Sequence, residues 1–417
     1  QRGQRGQRGQ RGQRGQRGQK GQKGPKGGIK IDVKEKELCP KYSAVLFENV
    51  KVGPSPWWLQ KRLLLAGHRP INNIVDITNY VLHEYGQPLH AFDADKLDGN
   101  AVVVRKAKKS EKIKALDGKI YELTSDMLVI ADAKKPVAVA GVMGGEETAT
   151  TENTTRVLIE SATFDPVSVR RTARALNLYS DSQLLFEKGL STESTEPALL
   201  RAVELITELT GGCVASSVMT EQAKSYVPRV FSFDPQKARA LMGIEMEEKK
   251  MIKILESLGF VVKRNKSITQ SLHHSTTFHV TVPYWRDHDI EASVDFTEEI
   301  ARVHGYENFP SIFPAGEIQL IHEDPVIRSQ HWMKEILKGA GFAEVYSYSF
   351  ISEKQLFAFG LKKEDAVSLR NPLSSEFEFM RPSLVPNMLT TVEQNQHRFP
   401  EADLFEIAPV YIPKKGD

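Results

Sequence analysis

Glu160, His90 and the run Ala140–Gly145 are the residues of this 417-residue chain best suited by type and spacing to act on a small ligand. Glu160 ends the apolar run Val157-Leu158-Ile159 and precedes Ser161-Ala162-Thr163. A carboxylate at the end of a strand is ordinarily solvated; its chemical use is to accept hydrogen bonds. The run Ala140–Gly145 reads AGVMGG, with glycines at 141, 144 and 145. Glycines so close together allow near backbone approach and exposed amides, and the plainer reading is a tight turn between strands. His90 lies in PLHAFD, where a satisfied core histidine is the plainer reading. Nothing in the sequence pairs it with an orienting acid, so it is not assigned as a general base.

A second group is acidic. The stretch WRDHDIEASVDFTEEIARVHGY predicts a helix from about Ser293, on which Asp295, Glu298 and Glu299 share one side at i, i+3 and i+4. Asp289 lies just upstream. Four carboxylates without a histidine suit a hard cation such as Mg²⁺ and not zinc. The competing account is the helix dipole, which favours acids in a first turn with no metal at all.

The elements that must position these groups are legible as an α+β multidomain chain. Segment Arg69–Asp93 sets Asn72, Asn73, Asp76, Asn79, His90 and Asp93 among apolar residues, a pattern expected to read a ligand. Strand-like runs at Ser43–Phe47, Val102–Lys106 and Met127–Ala131 are separated by turn signals such as Asp117-Gly118. Trp58, Leu59, Arg62 and Leu63 predict a helix over Ser55–Ala66, with Pro56 near its first turn and Gly67 closing it. Helices are predicted over Phe231–Leu241 and Glu247–Leu258, the second with Met251, Ile252, Leu255 and Leu258 on one face and Gly259 as its stop. Strands around Phe260–Lys263 and Phe278–Pro283 follow. A helix over Arg328–Gly339 precedes AGFAEVYSYSFIS, predicted as an alternating strand.

Composition bounds the function classes. At 40% hydrophobic and 26% charged residues, the chain is that of a soluble globular protein of several domains. No apolar run reaches the ~18 residues of a membrane span and no signal-peptide pattern opens the chain. Cys39 and Cys213 are too few for a disulfide framework, so a reducing cytoplasm is expected. The net charge of +3 hides an asymmetry: residues 1–28 carry six Arg and three Lys without an acid, leaving 3 − 9 = −6 for the body. RNA contact in the body would come from local patches such as Arg170, Arg171 and Arg174. The low-complexity tail repeats Gln-Arg-Gly with glycine at every third position from Gly3 to Gly27. Only Pro25 supplies collagen-like stiffness, so disorder is expected, with collagen-like assembly or RNA attraction as the other readings.

The wording HRPINN and GQPLHAFD, with AGVMGG and WRDHDIEASVDFTEEIARVHGY further on, closely resembles the β subunit of bacterial phenylalanyl-tRNA synthetase from about Ile29 to Asp417. The resemblance implies three domains after the tail (1–28): a tRNA editing domain over 29–220, a small winged-helix-like domain over 228–310 that carries the acidic cluster, and an inactive class II synthetase-like antiparallel sheet domain over 320–417. It also implies truncation at both ends, without an oligonucleotide-binding barrel before and an anticodon-contacting domain after. Editing means hydrolysis of tyrosine wrongly attached to tRNA(Phe). In that reading Glu160 and His90 are the catalytic-site pair, Glu160 accepting from the substrate phenol and His90 positioning substrate or water. Gly141, Gly144, Ser180 and Ser182 line the substrate pocket, and Asp289, Asp295, Glu298 and Glu299 bind Mg²⁺ at a contact with the α subunit. The implied partners are that α subunit, as an α2β2 heterotetramer, and tRNA(Phe); ATP is used by the α subunit. Leu178–Gly189 departs from the family pattern, having Tyr179 and Leu185 where arginines are common. The arginine–glutamate pair of a working class II site is not found in register over Leu404–Tyr411, so aminoacylation is assigned to the partner and Arg381 is read as structural or interfacial. The alternative function is a non-enzymatic scaffold that only organises the α subunit; an RNA-binding module driven by the tail is a third.

Overall fold

The structure is a computed structural model that describes residues 28–264, 277–316 and 322–413. Residues 1–27 of the expected tail lie outside the described residues. The chain divides into two units, Gln1–Ser311 and Ile312–Asp417, each described by itself.

The first six strands are β1 (Lys30–Val33), β2 (Lys41–Glu48), β3 (Leu89–Asp93), β4 (Ala101–Lys106), β5 (Glu111–Lys114) and β6 (Ile120–Leu123). The next six are β7 (Leu128–Ala131), β8 (Pro136–Val139), β9 (Met143–Gly144), β10 (Val157–Thr163), β11 (Cys213–Val214) and β12 (Met219–Gln222). Helices α1 (Trp57–Leu65), α2 (Asn73–Tyr85), α3 (Pro166–Leu176), α4 (Asp181–Phe186) and α5 (Thr195–Thr210) lie among them. One five-stranded sheet runs β1-β4-β7-β8-β9, and β5 and β6 pair as a separate hairpin. The other runs β11-β2-β10-β3, with β12 also on β2, and is antiparallel throughout.

Period-two alternation explains the layering. On one face of the second sheet, Val45, Phe47, Val157 and Ile159 pack with Leu59, Leu63, Ile74, Val81 and Ala202 of the helices. On the other face, Tyr42, Ala44, Leu46, Leu158 and Ala162 pack with Val102, Val104, Val129 and Val139 of the first sheet. The second sheet is therefore buried on both faces, and any polar residue within it must find its partners inside the protein.

Among the polar residues of 69–93, Asn72, Asn73, Asp76 and Asp93 are engaged in hydrogen bonds within the protein, which corrects for these four the expectation that the set reads a ligand; His90 is not so engaged. Asn72 caps α2 by accepting from Ile74 N at 3.0 Å and Val75 N at 2.9 Å. Asn73 donates to Lys51 O at 2.9 Å. Asp76 accepts from Ser55 Oγ at 2.6 Å and Ile71 N at 2.7 Å. Asp93 accepts from Thr154 Oγ1 at 2.7 Å, and Asn79 is half-buried on α2.

Further along the first unit, β13 (Val230–Phe233), β14 (Val261–Arg264) and β15 (Phe278–Thr281) form a three-stranded sheet in the order β13-β15-β14. Helices α6 (Pro235–Met242), α7 (Glu248–Ser257) and α8 (Ser293–His304) cover it around Phe296. The expected helix over Phe231–Leu241 is corrected at its start. Residues 230–233 alternate Val-Phe-Ser-Phe and pair with β15, and the helix begins only after the Asp234 cap, with Pro235 in its first turn.

The second unit holds α9 (Pro325–Gly339), β16 (Ala343–Glu344), β17 (Phe350–Ile351), α10 (Glu353–Ala358), β18 (Phe379–Met380), α11 (Val385–Asn395) and β19 (Leu404–Phe405). The expected single strand after α9 is two short ones, and the expected antiparallel sheet is replaced, among the described residues, by two two-stranded pairs. Pair β16·β19 is parallel and β17·β18 antiparallel. The reason lies in the intervening carbonyls. Arg381 N donates to Ser349 O at 2.9 Å and extends the β17·β18 pairing by one residue, while Asn387 Nδ2 takes Tyr348 O at 2.6 Å and stops it there.

Candidate functional site

Strand register gathers the predicted pair. Glu160 on β10 stands directly opposite His90 on β3 and opposite Ala44 on β2. Tyr42, two residues from Ala44, lies diagonal to Glu160 on the same face, within reach of a long side chain. Its hydroxyl donates to Glu160 Oε2 at 2.7 Å. Glu160 is 5% exposed, so the solvated carboxylate of the plainer reading is excluded. Burial pushes its carboxyl from 4.5 up to about 7, against the downward pull of the Tyr42 hydrogen bond.

His90 is half-covered as a residue, but its Nε2 is sealed from solvent and has no hydrogen-bond partner. Burial lowers the imidazole to about 4, so it is neutral at neutral pH and suits orienting a substrate or water better than shuttling protons. Phe92 meets it edge-on at 4.4 Å between ring centroids.

The glycine run is the turn from β8 into β9. Gly141 adopts φ +68°, and a Cβ there would lie 2.9 Å from both Phe164 Cδ2 and Val169 Cγ2. Gly144 has no unusual φ; it is needed for space, since a Cβ there would collide with His90 Cε1 and sit 2.8 Å from Nε2. Gly144→Ala is therefore expected to displace the imidazole and cost about 1–3 kcal/mol. Thermal melting together with the His90 ring resonances checks this; a parent-like melt with unmoved resonances would refute it.

Ser180 caps α4, accepting from Gln183 N at 3.1 Å, and donates to Val142 O at 2.6 Å. It ties α4 to the glycine turn from behind. Ser182 joins Pro88, His90, Gly141, Gly144, Glu160 and Phe186 around a cavity of about 60 Å³. At ~30 Å³ per water, that space suits one or two waters and is closed to an aromatic ring as it stands. A larger cavity of about 870 Å³ lies in the second unit, but its charged residues Lys354, Glu376 and Glu393 are all exposed, so no buried ionisable group faces it. A buried ionisable group, Glu160, faces the smaller one. Tyr42 was not marked out by the sequence; a tyrosine in an apolar strand was its only signal.

The acidic group is not gathered. Arg286 grips Glu299 with both guanidinium nitrogens at 3.0 Å and also binds Asp289, and Arg302 reaches Glu299 at 2.6 Å. The Arg286 hydrogen bonds, backed by Arg302, hold Glu299 down at about 2 despite its burial. Asp295 accepts from Glu291 N and Ala292 N at 2.7 and 2.8 Å, and Glu298 is exposed. Among the described residues, no three His, Cys, Asp or Glu side chains are placed to hold a metal. The expected Mg²⁺ set does not fit a cation in this arrangement, because Arg286 and Arg302 already neutralise Asp289 and Glu299 and Asp295 is turned to backbone amides.

Arg381 is structural: it is 2% exposed and its Nη1 donates to Glu406 Oε1 at 2.9 Å. Arg170, Arg171 and Arg174 are exposed on α3, whose Val169 touches the glycine turn. Among the described residues, no helix is long and apolar enough to cross a membrane.

Three family models match the chain: a B3/4 domain over residues 38–211, a tRNA synthetase B5 domain over 231–306, and a phenylalanyl tRNA synthetase beta chain CLM domain over 309–417. Among curated proteins, the phenylalanine–tRNA ligase beta subunit of Carboxydothermus hydrogenoformans is 43% identical over 394 residues, covering 93% of this chain and 48% of that protein. The same subunit of Moorella thermoacetica is 41% identical, covering 92% and 47%. That of Dehalococcoides mccartyi is 40% identical, covering 93% and 49%. The chain spans about half the length of the curated relatives it matches. A solved N-terminal fragment of the Pyrococcus horikoshii phenylalanyl-tRNA synthetase beta subunit aligns over 68% of this chain and 78% of that one, at 17% identity and TM-score 0.32, too slight a likeness to carry weight.

Proposed function

Because the chain belongs to the phenylalanine–tRNA ligase β-subunit family, we propose that it hydrolyses tyrosine misattached to tRNA(Phe) and supports phenylalanine attachment by a separate α subunit. The observation that carries the editing half is Glu160, a carboxylate buried opposite a neutral, unpartnered imidazole beside a glycine turn. A pocket shaped for phenylalanine rejects an added hydroxyl only about a hundredfold. A site with a buried acceptor does the reverse: it welcomes the phenol and leaves its own oxygen unpaired with phenylalanine. His90 orients the ester or the attacking water, and Arg170, Arg171 and Arg174 offer cations to the RNA backbone.

In this proposal, residues 29–220 are the editing domain, 228–310 the winged-helix-like domain and 320–417 the catalytic-like domain, in an α2β2 assembly in the cytoplasm where the α subunit uses ATP. A Mg²⁺ at Asp289, Asp295, Glu298 and Glu299 belongs to it only if Arg286 is first displaced from Glu299 and Asp289. The 60 Å³ cavity favours the second reading, a scaffold without catalysis, unless Ser182 and Phe186 of the short helix α4 move to admit a ring.

Timed deacylation of tyrosyl- and phenylalanyl-tRNA(Phe), by the full chain with its α subunit, separates the two. Editing predicts faster loss of tyrosine. Glu160→Ala should reduce that preference roughly ten- to a hundredfold, the worth of a hydrogen bond to a charged group. Equal rates for both esters in the parent protein would leave only the scaffold.

A further inference from the structure

Glu160 already holds a phenol, and it belongs to the chain itself. Tyr42 is fully buried between the two sheets, and its hydroxyl occupies one carboxylate oxygen, Oε2. Among the described residues, no hydrogen bond reaches the other oxygen, although Glu160 lines the cavity with His90, Gly141 and Gly144. We infer that Tyr42 is a positioning residue that fixes the Glu160 carboxylate from behind, so that Oε1 is the acceptor presented to a phenol entering the cavity. The role in ester choice rests on the editing reading; the hold of Tyr42 on Glu160 does not.

The chemistry of the pair is consistent with a fixed direction of donation. Burial, reinforced by the Glu160 charge, raises the Tyr42 phenol well above its ordinary value, so Tyr42 keeps its proton and remains the donor. The other titratable groups facing the carboxyl are His90, neutral on β3, and Cys39, whose thiol burial holds protonated. Neither supplies a competing positive charge. Removing the Tyr42 hydroxyl therefore removes what opposes the burial of the Glu160 charge.

Tyr42→Phe deletes one oxygen and leaves the ring in place. The Glu160 titration is followed by the infrared carboxyl band, assigned by difference against Glu160→Gln. Its midpoint is expected near 7 in the parent, and about one pH unit higher in Tyr42→Phe, a tenfold change in ionisation. The preference for tyrosyl over phenylalanyl ester at neutral pH should fall about fivefold, as the ionised share of Glu160 drops from about one half to about one tenth. In a Glu160→Ala background, where Tyr42 has no side-chain oxygen to hold, Tyr42→Phe should have no further effect on preference, whereas a merely structural role would act in both backgrounds. An unmoved midpoint, or equal losses of preference in the two backgrounds, would overturn the inference. A moved midpoint in a parent chain that shows no ester preference would refute editing and leave the hold of Tyr42 on Glu160 standing.

Discussion

Replacing Arg381 by methionine is expected to destabilise the second unit by about 3–5 kcal/mol, because it strands a buried carboxylate. Arg381 and Glu406 are each 2% exposed in their side chains. Arg381 Nη1 donates to Glu406 Oε1 at 2.9 Å and Ser347 Oγ at 2.8 Å, and its Nε donates to Pro409 O at 3.2 Å. Ser347 closes the ring by donating its hydroxyl to Glu406 at 2.6 Å. This network joins 347–349, β18 and 406–411, which the short strand pairs alone do not. The apolar core it supplements is small, with Ile351, Leu356, Ala366 and Phe379, and helix α9 buries no residue in it. Hydrogen exchange should show early loss of protection at 343–351 and 404–411. Adding Glu406→Leu should restore part of the loss, since the cost is that of an unpaired charge and not of a missing contact. Protection in the single variant equal to the parent would show that water reaches Glu406 and that the pair is dispensable.

Local pattern was enough for elements whose apolar period is complete within a few residues. Strand β2 and helices α1, α7 and α8 are of that kind, as is the turn at Gly141. The pairing of Glu160 with His90 followed once both were placed on strands of one sheet. What stayed hidden depends on register across long separations. Tyr42 and Glu160 lie 118 residues apart, and a slip of one residue in either strand would turn the tyrosine to the other face. Polar residues misled for a related reason: Asn72 and Asp76 have the side chains of ligand readers but serve as helix cap and turn tie. Among the acids of α8, charge count pointed to a cation, yet the sequence also supplied Arg286 three residues before Asp289. Which positive charge claims the carboxylates depends on geometry and not on composition.

Glu160→Gln is expected to stabilise the protein at pH 8 and to leave it nearly unchanged at pH 4.5, a difference on the order of 3 kcal/mol. The folded carboxyl titrates at about 7 in place of 4.5, and each pH unit is worth ~1.4 kcal/mol. The sign follows from proton binding. The folded state holds this proton more tightly, so the stabilising contribution is full below about pH 4.5 and is lost as pH rises through about 7. Glutamine has no proton to lose and escapes that decline, while its amide oxygen still accepts from Tyr42. His90 acts oppositely: lowered to about 4, it contributes stability above its ordinary 6.5 that is lost as pH falls. Both proteins carry His90, so it cancels in the difference between variant and parent. Urea unfolding of the two proteins in parallel from pH 4.5 to 8.5 gives that difference directly. A flat difference across the range would mean that Glu160 is ionised at no cost in the folded state, and a carboxylate hydrated that well could not discriminate a phenol from a bare ring.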